Sequence, residues 1–314
     1  MLVSVITPSY NRSETLPRAA RSVSNQTYDA IEYIIVDDGS TDNTEAVVKQ
    51  FEHPSLKYVK LERNKGVSTA RNEGVRTANG EFVLFVDADD ELPEKAVSLL
   101  VNELETASDR CAGVFGQQLF ETSSGATERV MYNDDTVDYT DLCEENYLGA
   151  FGGKLIRRQL FEEIGWIDPE FPSSEDFDFF LRVAAAGYHF RYIDALVYYK
   201  YHHENRLFHN PTAKITGIER MLEKHGEELT PSFRAHRNHT IASIHAEQRR
   251  LDDAASSFRE CLRLCPTTPK YHLLYLLVRL RIYNRVRALG VALANGFNAI
   301  EGLRGSYAPG EEQP

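Results

Sequence analysis

Five apolar residues run directly into a cluster of aspartates in the stretch Phe82-Val83-Leu84-Phe85-Val86-Asp87-Ala88-Asp89-Asp90. The apolar run is rich in Val and Phe and predicts a strand that is buried on both faces. The aspartates then fall at the strand's carboxyl end, the edge at which open α/β sheets bind ligands. An Asp-x-Asp pair there suits a hard divalent cation that holds phosphate groups. Because Asp also favours ordinary turns, this stretch alone leaves both interpretations open.

Strands and helices alternate along the first ninety residues. The predicted strands cover 2–7, 31–36, 56–61 and 82–86, and the predicted helices cover 13–26, 42–51 and 66–78. This alternation is typical of a parallel sheet with right-handed crossovers. Polar residues follow three of the strands, at Thr7, Asp38 and Asp89. Since the carboxyl ends of parallel strands share one edge of a sheet, we expect these residues to face a common ligand.

Residues 92–210 have a different pattern. Helices are predicted from Pro93 and over 154–164, strands over 113–120 and 190–201, and a polar segment over 121–147 is expected to cross the active-site face. Glu175 and Asp176 precede an amphipathic helix over 179–186. Carboxylates at a helix N-terminus can be plain caps or functional groups, and the local sequence does not separate the two.

The composition bounds the class of protein. The chain has 314 residues, 42% of them hydrophobic, and a formal net charge of −12, which allows one large domain and a smaller one. The acidic excess lies in 1–210, and the weak basic excess after it does not indicate nucleic acid as a partner. An acidic chain that uses more Arg than Lys is typical of a high-salt cytoplasm such as that of a haloarchaeon, although an acidic mesophilic protein fits nearly as well.

The cysteines and the apolar runs bear on the compartment. None of the spacings between the four cysteines predicts a paired zinc site. The N-terminal residues lack the basic start of a signal peptide, and no run reaches the roughly 18 apolar residues that span a bilayer. A reducing, cytoplasmic location is the simpler interpretation.

The segment 211–305 is predicted to be a helical extension, followed by a disordered tail over 306–314. The spacing of Ala242, Ala254, Phe258, Cys261 and Pro266 resembles one tetratricopeptide helix pair. Residues 270–304 then combine an apolar run with six basic residues and one acidic residue. Such a helix can lie on an anionic membrane surface, here the inner face of the cell membrane. A surface helix that closes the core of the extension explains the pattern equally well.

Five motifs in this order resemble the inverting glycosyltransferases of family 2, which have the GT-A nucleotide-sugar fold. They are Val3-Ser4-Val5-Ile6-Thr7-Pro8-Ser9-Tyr10-Asn11, Val36-Asp37-Asp38-Gly39-Ser40-Thr41-Asp42, Asn64-Lys65-Gly66 with Ala70-Arg71-Asn72, Asp87-Ala88-Asp89-Asp90, and Glu175-Asp176. The resemblance covers about residues 1–205. It implies an α/β, mostly parallel sheet flanked by helices, in a glycosyltransferase domain over 1–210.

The resemblance also implies a donor pocket. The residues that would bind the nucleotide are Thr7, Pro8, Tyr10, Asp38, Arg71 and Ala88. Thr7, Pro8 and Tyr10 would line the base and ribose. Asp38 would accept a hydrogen bond from a ring N–H of the base, which a carboxylate can do. Arg71 would help to hold the nucleotide or its phosphates.

A metal site and a catalytic base are implied as well. Asp89 would bind Mg²⁺ or Mn²⁺ directly, Asp87 directly or through water, and His202, just after the last predicted strand, is a candidate third ligand. Asp176 resembles the family's base, which deprotonates the acceptor hydroxyl on the face opposite the leaving group. Glu175 would position the acceptor or raise the pKa of Asp176.

These residues predict an inverting transfer of a sugar from a nucleoside-diphosphate donor to a glycan or polyprenyl-phosphate-linked acceptor. The Gln-x-x-Arg-Trp motif of processive synthases is absent, which favours addition of one sugar per encounter. One alternative is a sugar nucleotidyltransferase, but such enzymes usually carry a basic, Gly-rich phosphate loop where this chain reads Thr7-Pro8-Ser9-Tyr10-Asn11-Arg12. Another is an inactive, transferase-like binding module. The presence of Asp38, Asp89 and Asp176 together argues against that.

Overall fold

The computed structural model describes residues 1–51, 53–121, 127–132, 134–201, 210–284 and 286. The chain forms two compact units, Met1–Glu228 and Leu229 onward. The first contains the sheet and the second is helical. The predicted helical extension begins at 211, whereas the compact units divide at Glu228.

The first unit is built on one mixed sheet. Its strands within the described residues are β1 (Val3–Ser9), β2 (Ile31–Asp37), β3 (Leu56–Lys60), β4 (Phe82–Phe85), β5 (Cys111–Glu121), β6 (Thr127–Val130), β7 (Thr136–Val137), β8 (Lys154–Arg157) and β9 (His189–Lys200). The strand order is β3-β2-β1-β4-β8-β5-β9-β7, and β6 pairs with β5. β1 to β4 are parallel, and β8 runs antiparallel to both β4 and β5. The carboxyl ends of β1, β2, β4 and β5 therefore share one edge.

Helices cover both faces of this sheet. In chain order they are α1 (Leu16–Ser24), α2 (Thr44–Val48), α3 (Val67–Thr77), α4 (Ala96–Glu105), α5 (Tyr139–Glu144), α6 (Leu160–Glu163), α7 (Glu175–Ala185) and α8 (Pro211–His225). The α/β sheet predicted from the sequence is confirmed. The helix predicted over 154–164 is wrong at its start. Leu155 pairs with Leu84 on one side and Val114 on the other, so insertion between two buried strands makes Lys154–Arg157 a strand.

β4 lies at the centre of the core, as its sequence predicts. All four of its residues are buried, Val83 and Leu84 completely. On one face of the sheet α1 and α4 contribute aliphatic side chains such as Leu16 and Leu100. On the other face Phe85 meets an aromatic layer, with its ring 5.1 Å from that of Phe151. This aromatic layer includes α7 and holds its N-terminus at the edge of the sheet.

A buried carboxylate joins α8 to α7. Asp178 is fully buried, and its Oδ1 lies 2.7 Å from Lys224 Nζ and 2.8 Å from His225 Nε2. Arg182 Nε donates to Oδ2 at 3.0 Å. Burial alone would raise the pKa of Asp178, but the hydrogen bonds from His225 and Lys224 outweigh it and lower the pKa to about 2. Because two of these partners come from α8, that helix belongs to the first unit.

The second unit contains α9 (Pro231–Glu247), α10 (Leu251–Leu264) and α11 (Pro269–Arg279). Ala242, Ala254, Phe258 and Cys261 are all completely buried in its core. Among the described residues, no helix is long and apolar enough to cross a membrane. The predicted tail over 306–314 lies outside the described residues, and so do residues 285 and 287–304 of the segment 270–304.

Candidate active site

Hydrogen bonds join the loops that follow β1 and β2. The backbone N–H of Asp38 donates to the carbonyl of Ser9 at 2.8 Å. The side-chain oxygen of Asn11 accepts the N–H of Thr41 at 2.8 Å, and the Asn11 N–H donates to Ser40 Oγ at 2.9 Å. The two loops expected to form the nucleotide pocket are therefore fixed to each other by local polar contacts.

Asp38 holds the neighbouring turn in place. Its two carboxylate oxygens accept the backbone N–H groups of Lys65 at 2.7 Å and Gly66 at 2.8 Å. Burial raises the pKa of Asp38. Gly39 follows in a left-handed conformation at φ +72°, and an added Cβ would lie 2.5 Å from the backbone of Arg63. The turn thus requires glycine, and Asp38 keeps a second lone pair on each oxygen for a further donor.

The other residues of the predicted donor pocket differ in exposure. Thr7 is completely buried, and its hydroxyl accepts the phenol O–H of Tyr33 at 3.1 Å. Pro8 is also buried, whereas Tyr10 is 41% exposed. The structure therefore places an exposed aromatic ring, suited to contact with a base, above a buried layer formed by Thr7 and Pro8.

The acidic loop after β4 is anchored from below by Asp90. This residue is completely buried and accepts the phenol O–H of Tyr198 and the N–H of Tyr201, both at 3.1 Å. The Tyr198 oxygen in turn accepts the N–H of Asp87 at 3.1 Å. The side chain of Asp87 is 26% exposed, and that of Asp89 is nearly buried at 11%. Ala88 between them is 4% exposed.

Two arginines that the sequence reasoning did not identify reach the same loop. Arg12 Nε lies 3.8 Å from the Asp89 carboxylate. Arg18 donates to the carbonyl oxygen of Asp89 at 2.6 Å, and its guanidinium stacks 3.7 Å from the centre of the Tyr201 ring. Arg12 directly follows the first motif, and its guanidinium can donate charge-assisted hydrogen bonds to phosphate oxygens.

The acidic loop fits a hard divalent cation. Mg²⁺ is usually held by one or two carboxylates together with substrate phosphates, and Asp87 and Asp89 offer such oxygens. Within the described residues, no group of three or more His, Cys, Asp or Glu side chains could hold a metal. The protein's share there would be two carboxylates, with phosphate and water oxygens completing the ligand set. His202 lies outside the described residues.

Arg71, on α3, connects this loop to α7. Its guanidinium is 3.1 Å from Asp87 Oδ1 and 2.8 Å from Glu175 Oε1. Arg71 is 5% exposed and lies 5.2 Å from the centre of the Phe151 ring. A buried cation shared by two carboxylates fixes the distance between them, so the Asp-x-Asp loop and the acid pair form one site.

Asp176 is a candidate base. It lies in the first turn of α7, after Ser174, whose left-handed backbone (φ +68°) aims the chain into the helix. Burial and the neighbouring Glu175 carboxylate raise the pKa of Asp176 to about 7, although Arg71 and Lys154 oppose the shift. A carboxyl group with this pKa can accept and release a proton near neutral pH.

Lys154 is a third functional candidate, after Arg12 and Arg18, that the sequence reasoning missed. It is completely buried in β8, and its Nζ donates to the Gly152 carbonyl at 3.3 Å. Burial and the nearby charge of Lys200 lower the pKa of Lys154 to about 7, whereas the charges of Asp176 and Asp87 raise it. The signal was a single cation inside an otherwise apolar run, Phe151-Gly152-Gly153-Lys154-Leu155-Ile156.

The sheet flanked by helices, with its acidic edge, is a GT-A-type fold, the fold of many nucleotide-sugar-dependent glycosyltransferases. The family model for glycosyl transferase family 2 matches residues 4–165. The chain belongs to this family.

Two curated relatives show the range of proteins that match. The chain is 33% identical over 167 residues to the GalNAc(5)-diNAcBac-PP-undecaprenol beta-1,3-glucosyltransferase of Campylobacter jejuni, covering 51% of this chain and 53% of that protein. It is 40% identical over 168 residues to the poly(ribitol-phosphate) beta-N-acetylglucosaminyltransferase TarP of Staphylococcus aureus, covering 51% and 50%. The chain therefore spans about half the length of these relatives. None of the relatives supports the high-salt origin suggested by the composition.

Solved structures match over nearly the whole chain. TarS residues 1–349 from S. aureus, in complex with UDP-GlcNAc, superposes with a TM-score of 0.61 at 20% identity, covering 94% of this chain and 92% of that one. A mannosyltransferase from Pyrobaculum calidifontis, in complex with GDP-Man and Mn²⁺, gives 0.54 at 20% identity, covering 97% and 88%. At this identity the likeness shows the fold.

Proposed function

We propose that this protein transfers one sugar from a nucleoside-diphosphate sugar to an acceptor hydroxyl, with a divalent metal and inversion at the anomeric carbon. The observation that carries the proposal is the bridge from Asp87 through Arg71 to Glu175, at 3.1 and 2.8 Å. It joins a carboxylate loop suited to a metal diphosphate to a helix N-terminus that carries a base. A two-substrate transfer needs both in one cleft.

The chain's own residues supply the steps around the reacting atoms. Asp38 and Tyr10 bind the base, and Arg12 and Arg71 offset charge near the diphosphate. Mg²⁺ or Mn²⁺ held by Asp89 and Asp87 would act as a Lewis acid on the departing diphosphate. Asp176 takes the proton from the acceptor hydroxyl. The acceptor oxygen attacks the anomeric carbon from the face opposite the departing nucleoside diphosphate. That direction of attack inverts the configuration.

The names of two relatives support an acceptor class. One is named for a glycan on undecaprenyl diphosphate and another for a poly(ribitol-phosphate) chain. We therefore propose an acceptor in the assembly of a lipid-linked or cell-surface glycan, in the cytoplasm. The absence of the processive motif supports addition of a single sugar per encounter.

A donor screen tests the proposal. Purified protein is incubated with UDP-, GDP-, dTDP- and CMP-sugars, Mn²⁺ or Mg²⁺, and a panel of tagged glycosides, and intact products are identified by mass. We expect a mass increase of one sugar, release of the nucleoside phosphate, and a product whose anomeric coupling in NMR is inverted relative to the donor. No nucleotide release with any donor and either metal would overturn the function.

Asp89→Ala is expected to lower turnover and to raise the Mn²⁺ concentration needed for half-maximal rate by at least about 10–100-fold, the loss typical even for residues that only support metal ligands. The measurement is a titration of rate against Mn²⁺ at saturating donor. Asp109 is an exposed carboxylate just before the amino end of β5, at the edge of the sheet opposite the acidic loop. Asp109→Ala should leave the titration unchanged. An unchanged Mn²⁺ dependence in Asp89→Ala would show that the metal lies on another carboxylate.

We also propose peripheral contact with the inner face of the membrane through the segment 270–304. Leu273, Leu276 and Leu280 lie on one side of α11 and its C-cap, each more than half exposed. Lys270 and Arg279 belong to the same helix, and such pairing of apolar and basic side chains favours anionic lipid. The residues of this segment beyond 286 lie outside the described part of the chain.

Flotation with phosphatidylglycerol vesicles tests the contact. The full chain is expected to float with these vesicles and not with neutral phosphatidylcholine vesicles. The double variant Leu273→Gln/Leu276→Gln should remain at the bottom of the gradient, because it removes exposed apolar area from α11. Equal flotation of both proteins, or of neither, would remove this part of the proposal.

A further inference from the structure

A row of side chains crosses the sheet away from the donor pocket. Lys154 of β8 is paired with Phe115 of β5, and Phe115 is paired with Tyr192 of β9. Paired residues on adjacent strands project to the same face, and adjacent strands lie about 4.8 Å apart. Tyr192 is therefore about 10 Å from Lys154 across the sheet, two strand spacings. The charge of Lys154 lowers the pKa of Asp176. The row therefore starts near the candidate base.

Three tyrosines form a cluster at the far end of the row. The rings of Tyr132 and Tyr147 have centroids 5.0 Å apart, and those of Tyr132 and Tyr192 are 6.0 Å apart. The ring of Phe115 lies 5.4 Å from that of Tyr192 and closes the base of the cluster. All three tyrosines are partly exposed. We call Tyr132, Tyr147 and Tyr192 the tyrosine cluster.

The cluster contains a polar atom in need of a partner. The hydroxyl oxygen of Tyr192 is buried, and no group among the described residues forms a hydrogen bond with it. Native structures rarely leave a buried hydroxyl unsatisfied. The enclosed oxygen itself is out of a ligand's reach, so the partly exposed rings are the surface that a ligand can contact.

The charge around the cluster limits the kind of ligand. Residues 134–145 contain six carboxylates and no Lys or Arg. Burial, and after it the charges of Asp141, Asp134 and Asp138, raise the pKa of Tyr132 to about 12. Several of the carboxylates therefore lie close to the cluster. Carboxylates accept hydrogen bonds from sugar hydroxyls, but they repel phosphate and carboxylate groups. The surroundings therefore favour an uncharged polyhydroxyl ligand.

We propose that the tyrosine cluster is an acceptor subsite, which stacks an uncharged sugar ring next to the sugar that carries the reacting hydroxyl. This inference rests on the proposed sugar transfer, because the cluster is placed by its pairing with Lys154, whose charge acts on the candidate base Asp176. It adds a substrate class: the acceptor glycan carries neither phosphate nor uronic acid at the ring that the cluster binds.

Binding to a glycan array tests the subsite without requiring turnover. The array presents uncharged oligosaccharides, the same backbones with uronic acid, and phosphate-bearing chains. Wild-type protein is expected to bind uncharged glycans at least tenfold more tightly than the charged ones. Tyr132→Ala and Tyr147→Ala should each weaken that binding about tenfold, since each removes a ring face on which a sugar would stack.

Phenylalanine variants are the matched controls. Tyr132→Phe and Tyr147→Phe keep the ring and should bind within about threefold of wild type, a difference below 1 kcal/mol. Tyr192→Phe removes only the enclosed hydroxyl and keeps the ring, so it should also bind within about threefold of wild type. If an alanine variant melts early, Tyr132→Leu or Tyr147→Leu replaces it, because leucine fills the volume without a stacking face.

The outcomes separate the subsite from the transferase. Preference for charged glycans, no binding to any uncharged glycan, or unchanged binding in the alanine or leucine variants would overturn the subsite. Uncharged-glycan binding that depends on the tyrosine cluster supports it, even where the donor screen releases no nucleotide. In that case the proposed transfer fails and the binding site stands.

Discussion

Asp176→Asn is expected to lower kcat by about 10²–10⁴-fold, the usual contribution of a positioned general base. Asparagine has the size and shape of aspartate but cannot take the acceptor's proton. Asp176 makes none of the contacts that hold Arg71 between Asp87 and Glu175, so the donor KM should remain near the wild-type value. Initial rates of nucleotide release at saturating metal measure both quantities.

The pH dependence of the wild-type rate should report the same group. The base works as a carboxylate, and burial together with Glu175 raises the pKa of Asp176 to about 7. Activity should therefore be low at pH 5.5, rise through pH 7 and level off above pH 8. An ordinary aspartate would remain ionised down to about pH 4. The rise is expected to be absent from the residual rate of Asp176→Asn.

Glu175→Gln and Asp109→Asn make this test specific. Glu175→Gln removes the like charge beside Asp176, so its rise in activity should shift to lower pH. Asp109→Asn changes an exposed carboxylate and should reproduce the wild-type profile. A flat wild-type profile between pH 5.5 and 8, or Asp176→Asn with wild-type kcat, would place the base elsewhere.

The part of the fold that the sequence predicted is the part in which each element carries its own signal. β1, β2 and β4 are mostly apolar runs in which every residue is buried, β3 is a partly buried edge strand, and helices lie between these strands along the chain. β8 carries no such signal, because Lys154–Arg157 is four residues long and becomes a strand only by insertion between β4 and β5. Likewise, the ties from α8 to Asp178 explain why the first unit extends past the predicted boundary at 210.

The site divides in the same way. Asp87, Asp89, Glu175 and Asp176 belong to motifs that are local in sequence. Arg71 and Glu175 are 104 positions apart. Nothing in the sequence indicates that the Arg71 guanidinium contacts both Asp87 and Glu175. Asp90 is a different case. The motif assigned the metal to Asp89 and Asp87, and the structure shows that Asp90 is completely buried and accepts hydrogen bonds from Tyr198 and Tyr201. The roles of these residues in catalysis remain predictions.

Lys154→Met is expected to stabilise the protein and to impair it as an enzyme. Wild-type Lys154 is completely buried with one hydrogen bond of 3.3 Å. Burial and Lys200 lower its pKa to about 7 from 10.5, so folding must remove a charge from water. Taking an ammonium group out of water costs several kcal/mol per ion. Methionine has a similar volume and no charge, so we expect Lys154→Met to raise the free energy of unfolding at neutral pH by part of that amount.

The sign of the pH effect follows from this lowered pKa. Below pH 7 the lysine is charged in both the folded and the unfolded chain, so the full penalty of burial is present. Between pH 7 and 10.5 the folded lysine is neutral while the unfolded one still binds a proton, and the penalty shrinks as the pH rises. Urea unfolding of wild type and Lys154→Met should therefore differ most below pH 7 and converge toward pH 10.

Activity should change in the opposite direction. The Lys154 charge opposes the rise in the pKa of Asp176, so its loss should move the rate profile to higher pH. Each unit of displacement lowers the ionised fraction at pH 6, and hence kcat there, by about tenfold, while rates at pH 9 recover. Lys154→Arg retains the charge and should keep the wild-type profile if the larger guanidinium is accommodated, which its melting temperature reports.

These two readouts distinguish a positioning residue from a packing one. If Lys154 only filled space in β8, methionine would preserve the rate profile while changing stability. If its charge supports the base, the variant combines a higher free energy of unfolding with a displaced profile. A less stable Lys154→Met protein with an unchanged pH–rate profile would contradict both halves of the argument, and it would show that the buried ammonium is better solvated by Gly152 and the nearby carboxylates than its single hydrogen bond implies.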